Sequence, residues 1–146
     1  MPRPIEYDNL VKMRSLEAVA PTPGSVPVYL KSAKGYLAHA MQGLDLPEPG
    51  PAFTAAYEGF FLLVQSVLEF YEVRTKEAGR NLAIQRVCTD LKLSPAEFSL
   101  VTRAHDRRNA TTYRSPFPPI SKAEATAMIG ILEKYIPVAH MLTNTP

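Results

Sequence analysis

Cysteine is almost absent. Cys88 stands alone, so no disulfide can form within the chain, and thiolates of one chain cannot build a metal site. Within "LAIQRVCTDL" it sits in an amphipathic context. There it reads as a small buried hydrophobe, with a reactive thiol as the rarer alternative. The lack of cysteine pairs suits a reducing cytoplasm, which is the expected location. Charge of either sign is also scarce in excess: the net charge is +2. That is too small for a protein whose whole surface binds nucleic acid. Long apolar runs are missing as well. The longest, "GFFLLV", is followed by Gln65 and Glu69, so no segment is expected to span a membrane. The first twenty residues carry Glu6 and Asp8 and lack a continuous apolar centre, so no secretory signal is expected. No P-loop, GxGxxG, HExxH or GxSxG motif occurs, and neither cofactor nor metal is expected. Period-2 alternation and internal repeats are not evident.

What the chain does have is proline. Of its 14 prolines, all but Pro95, Pro137 and Pro146 gather in "MPRP", "APTPGSVP", "LPEPGP" and "SPFPP". Proline disrupts helix interiors, so these clusters punctuate helices. The stretches between them repeat with helical period. Residues 5–19 place Leu10, Met13 and Leu16 at helical spacing, which suits a short helix or docked arm. A second helix over 26–43 would bury Val28, Ala33, Tyr36, Leu37, Ala40 and Met41. The third, 52–77, is apolar all round from Phe60 to Val64 and reads as the enclosed central helix, with Pro51 at its start and Gly79 at its stop. A fourth covers 80–91. Ser94 and Glu97 have capping-box spacing, with Pro95 at the first helical position, so a fifth helix runs from 95 to about 112. Ser121 and Glu124 repeat the box before a last helix ending near 141. Its inner face holds Met128, Ile131, Leu132, Tyr135, Val138 and Ala139. The expectation is an all-α bundle of five or six helices, without strands. Residues 1–24 form an N-terminal arm or short helix, 25–142 the helical domain and 143–146 a tail.

Charge placement singles out one region. Residues 1–52 and 53–93 each hold five basic and five acidic residues, whereas 94–146 hold six and four. The excess lies mostly in "RAHDRRNATTYRSPF", residues 103–117. On a helical wheel Phe98, Val101, His105, Arg108, Asn109 and Thr112 form one stripe. It begins apolar and turns polar, so its second half should emerge at the lip of a packed face. Arg103 and Arg107 fall on another face and read as solvated. A bland account exists: helices often leave the core before they end, and arginine near a C-terminus is favoured by the helix dipole. The sharper account is a site for RNA. Arg108 would clamp phosphate, His105 would move protons, and Tyr113 would donate a hydrogen bond or stack on a base. His39 and His140 are isolated and read as packed or edge histidines. The many tyrosines and phenylalanines of residues 29–71 come at helical spacing and read as core.

The helix order, the stretch "FTAAYEGFFLLVQ" and above all "RRNATTY" resemble HEPN domains, the higher eukaryotes and prokaryotes nucleotide-binding family. The resemblance covers roughly residues 26–142. It implies an all-α bundle that forms homodimers. Many members are metal-independent endoribonucleases of toxin–antitoxin or phage-defence systems, so an antitoxin or other protein partner is implied too. The family motif is an arginine, often a polar residue after it, a short spacer and a histidine. Two copies meet at the dimer interface to make one RNA-cleaving site. Here Arg108 and Asn109 match, and Tyr113 stands where the histidine would be. A phenol is a poor general base at neutral pH. His105, one turn earlier on the stripe, is outside the motif. The resemblance therefore implies RNA or nucleotide binding, with cleavage through Arg108, Asn109 and Tyr113 as its stronger form; His105 joins them from the stripe, as a group that would assist proton transfer. The rival is a non-catalytic helical interaction or regulatory module, in which Arg108 pairs with a carboxylate such as Glu58. An enclosed, salt-bridged Arg108 would mark that rival. Two Arg108 side chains facing a shared open cleft would mark the RNA site.

Overall fold

A computed structural model describes residues 3–76, 78–115 and 117–146. Met1 and Pro2 of "MPRP", Pro116 of "SPFPP" and Glu77, where the third helix was expected to end, lie outside them. Among the described residues the chain is an all-α bundle of six helices. They are α1 (Ile5–Lys12), α2 (Ser25–Gly43), α3 (Gly50–Phe70), α4 (Arg80–Asp90), α5 (Pro95–Tyr113) and α6 (Lys122–Leu142). The expected starts of α4, α5 and α6 agree with the structure to within a residue. Both serine caps work as the sequence implies. Ser94 Oγ accepts from the Glu97 backbone N–H at 3.2 Å while Glu97 Oε1 accepts from the Ser94 N–H at 2.9 Å. Ser121 and Glu124 make the same reciprocal pair, each at 3.1 Å. These bonds satisfy backbone donors that the first helical turn would leave free.

α3 is the centre. It packs most extensively along α2, then against α6, and also touches α4 and α5. Tyr57, Phe60, Leu63, Val64 and Val67 are fully enclosed. Its 21 residues have a mean hydropathy of 1.2 over the most apolar window. By length and composition this helix could cross a membrane, contrary to the expectation that none could. Short apolar runs separated by single small or polar residues hid that sum. Two thirds of the window, 67%, is buried inside the bundle. Cys88 is fully buried in α4, and burial pushes its thiol up to about 12.

Three expectations need correction. First, strands exist. Leu16–Ala18 (β1) pairs antiparallel with Val73–Thr75 (β2). α3 therefore stops at Phe70 rather than 77. Glu72 turns the chain with a positive φ of 61°, and three extended residues follow. A strand this short shows too little alternation to betray itself. Second, the first segment ends its helix at Lys12. Met13 is 67% exposed and Leu16 belongs to β1, while the buried anchor is Tyr7. The Tyr7 hydroxyl donates to Asp90 Oδ2 at 2.5 Å, and burial, then this bond, raises its pKa. Third, the inner face of α2 is Leu30, Ala33 and Ala40, with Leu37 partly covered; Val28, Tyr36 and Met41 are exposed. The helix packs through its small residues, which allow close approach, so a wheel weighted by large apolar residues rotated the face.

Gly79 ends nothing. It immediately precedes α4, where a Cβ would lie 1.8 Å from the Ser15 carbonyl oxygen. Only glycine lets the chain pass there, beside the ribbon bond from the Lys76 N–H to Ser15 O at 3.1 Å.

Candidate nucleic-acid interface

Three helices build the site. α5 brings His105, Arg108 and Asn109, α3 brings Tyr57 and Glu58, and α4 brings Arg80. The stripe does run from core to surface, but His105, expected at the lip, is buried, and Phe98, expected in the core, is half-buried. Val101 and His105 are buried, Arg108 and Asn109 are half-buried, and Thr112 and Tyr113 are exposed. The stripe thus leaves the core between His105 and Arg108.

Arg108 is not free. Its Nη2 lies 3.0 Å from Glu58 Oε1. Arg80 Nη2 meets the same carboxylate, at 3.2 Å from Oε2 and 3.4 Å from Oε1. Glu58 therefore bridges two guanidiniums. About a quarter of each side chain stays exposed: 20% of Arg108, 29% of Arg80 and 27% of Glu58. Arg80 is stacked as well as paired. Its guanidinium carbon sits 3.7 Å from the Phe61 ring centroid and 5.2 Å from that of Tyr57. Arg80 Nε is buried with no hydrogen-bond partner among the described residues.

A line of hydrogen bonds runs inward from Arg108. Its Nη1 donates to Asn109 Oδ1 at 3.1 Å. Asn109 Nδ2 faces His105 Nε2 at 3.3 Å, and His105 Nδ1 lies 2.6 Å from the Tyr57 hydroxyl. Arginine can only donate, which fixes the asparagine amide. The Asn109 Nδ2 must then donate to Nε2. The histidine proton accordingly sits on Nδ1 and is given to Tyr57; this tautomer is assigned from the network. Burial, then the positive field of Arg80, hold the His105 pKa below its ordinary 6.5, and Arg108 acts in the same direction. The imidazole is neutral at neutral pH, 8% exposed, and engaged at both nitrogens. Burial also raises the Tyr57 pKa, against the pull of Arg80.

Tyr113 stands apart from this line. Its ring is 74% exposed, with its centroid 6.0 Å from the Arg108 guanidinium carbon. Arg114 beside it and Phe117 further on are exposed too. The four predicted residues thus divide. His105, Arg108 and Asn109 form one connected network, and Tyr113 lies at its rim as an open aromatic face.

Arg103 is exposed as expected, but Arg107 is not solvated. Its Nε donates to Glu124 Oε2 at 2.8 Å, and its Nη2 to the carbonyls of Pro118 and Pro119 at 2.6 and 3.0 Å. It ties the end of α5 to the start of α6, a role that depends on where the proline loop turns. Burial works against ionisation of Glu124, yet the Arg107 bond and the Ser121 cap outweigh it and lower the carboxyl pKa.

Sequence reasoning missed Tyr57 and Arg80 as members of the site. Tyr57 read as core, which it is, and Arg80 as part of a helix junction. The available signal was the step from buried Tyr57 to polar Glu58, which marks the edge of the α3 core stripe. Among the described residues, no group of three or more His, Cys, Asp or Glu could hold a metal ion. The chain matches no family model, and no curated protein resembles it closely enough to count as a relative.

Proposed function

We propose that the chain is a HEPN-like protein that binds single-stranded RNA at the end of α5, and that it holds the RNA without cleaving it. The observation that supports this most is the open Tyr113 ring beside Arg108. It lies at the rim of a cluster with two guanidiniums to one carboxylate. Aromatic faces next to arginines suit unpaired bases and their phosphates. Tyr113 would stack on a base, while Arg108 and Arg114 would take phosphate oxygens. Pairing of two copies, as the family resemblance implies, would double that surface.

Cleavage would need a group to accept the 2′-OH proton. His105 is neutral, which suits a base, but it is enclosed and both its nitrogens are engaged. Tyr113 meets the solvent with no base among its described contacts. The geometry therefore favours a frame that binds.

A second reading is favoured by a specific observation. The 3.0 Å pair between Arg108 and Glu58 is made within one chain, as expected for a non-catalytic interaction or regulatory module. Against it, Arg108 is not enclosed.

The test is fluorescence anisotropy with a short labelled single-stranded RNA in EDTA, run beside a cleavage ladder. Arg108→Ala should weaken binding by about tenfold and Tyr113→Ala by about fivefold or more, with the RNA intact. Binding should fall steeply as salt rises. An RNA ladder degraded by wild type and spared by Arg108→Ala would instead establish a nuclease. No binding by folded wild type at micromolar concentration would leave the interaction module standing.

A further inference from the structure

We infer that Glu58 is an exchangeable internal counter-ion: it occupies the place between Arg80 and Arg108 that a backbone phosphate of bound RNA would take. The inference rests on the RNA-binding reading and concerns how the same site is regulated.

A carboxylate and a phosphodiester both present paired oxygens to a guanidinium. Glu58 uses its two oxygens in this way, Oε1 toward Arg108 at 3.0 Å and Oε2 toward Arg80 at 3.2 Å. The bridge is not sealed. All three side chains are partly exposed, so an anion can reach the guanidiniums and Glu58 can swing into water. The two arginines, by contrast, keep their positions without it. Arg80 lies on Phe61 and next to Tyr57, and Arg108 donates to Asn109. Arg80 Nε, buried and unpartnered among the described residues, shows that Glu58 leaves one donor of this cluster unused.

The consequence is a sign. A carboxylate that braces the arginines should help binding. A carboxylate that competes with phosphate should hinder it. With Glu58 in place, the incoming phosphate must displace it, and the site offers one net positive charge fewer than its two guanidiniums alone. Net counter-ion release is then smaller by about one ion than it would be in its absence.

The experiment compares wild type with Glu58→Gln, by anisotropy on a short labelled single-stranded RNA over a range of salt concentrations. Folding is checked by circular dichroism. The variant should bind at least about threefold more tightly, and its plot of log affinity against log salt should be steeper by about 0.7, the value for one phosphate contact on a single strand. A folded Glu58→Gln protein that binds equally or more weakly overturns the inference while the RNA reading survives. If wild type fails to bind but Glu58→Gln binds, the inference stands and the site is held shut by Glu58. If neither binds, both ideas fail together. Should Glu58→Gln not fold, Glu58→Asp takes its place, since it draws the carboxylate back from the bridge. Its charge is kept, so it is judged on affinity alone: tighter binding supports the inference and equal or weaker binding overturns it.

Discussion

His105 shows how one residue's surroundings set both its chemistry and its cost. Its folded pKa lies below its ordinary 6.5, so on acidification the unfolded chain takes up the proton first. Stability is therefore intact above about pH 6.5 and declines as pH falls from there toward the folded value. Urea unfolding across this range should show that decline, and His105→Gln should flatten it; an unchanged slope would contradict the assigned burial. Glu97 behaves as a second acid-sensitive residue with its own window. Hydrogen bonds from Lys134, from the Tyr135 hydroxyl and from the Ser94 backbone pull its carboxyl from 4.5 to about 2. Its contribution is fully present above about pH 4.5 and is lost as pH falls toward 2. At this scale much of the site was legible. The α5 stripe follows from helical spacing alone, because residues three and four apart share a face whatever they pack against. Glu58 was legible as a carboxylate that Arg108 could meet, and the pair forms, but Arg80 and Tyr57 were not legible as partners. Their meeting depends on how three helices dock, and no local pattern encodes that.

At the level of elements, caps and prolines carried the most information. A capping box is a local contract between residues three apart, so "SPAE" and "SKAE" placed the starts of α5 and α6 without tertiary knowledge. Ser94→Ala and Ser121→Ala should each lower stability by about 1 kcal/mol in thermal or denaturant unfolding. The β1–β2 ribbon lay beyond such reading. Each strand is three residues long, and its partner is more than fifty residues away. Gly79 is its hidden requirement. Gly79→Ala would drive a methyl group into the Ser15 carbonyl, a contact that only backbone movement can relieve. A loss of about 1–3 kcal/mol is expected. Hydrogen exchange should show the Lys76 amide, which pairs with Ser15 O, losing protection. An amide that stays protected would mean the ribbon survives the substitution.

The whole molecule is organised around α3, and its stability should be concentrated there. Phe60 is fully buried in the middle of that helix. Phe60→Ala should lower unfolding free energy by about 3–5 kcal/mol, a large share of the roughly 5–15 kcal/mol typical of a domain. Global thermal unfolding should therefore shift far more than for Met141→Ala, whose residue is 79% exposed. The fold class was readable because every long segment has helical period and prolines separate them. The membrane-like character of α3 was hidden for the opposite reason, since only its summed hydropathy reveals it.

The N-terminal segment has a consequence in time. Tyr7 bonds to Asp90 across a separation of 83 residues, and Arg3 Nη1 donates to the Tyr71 carbonyl across 68. Both partners are synthesised long after the segment has left the ribosome. This segment is made before its partners and must wait for them to find its place. Until residues 71–90 arrive, the apolar surfaces of Tyr7 and Leu16 have nowhere to dock. That interval is when a growing chain most needs protection from wrong partners.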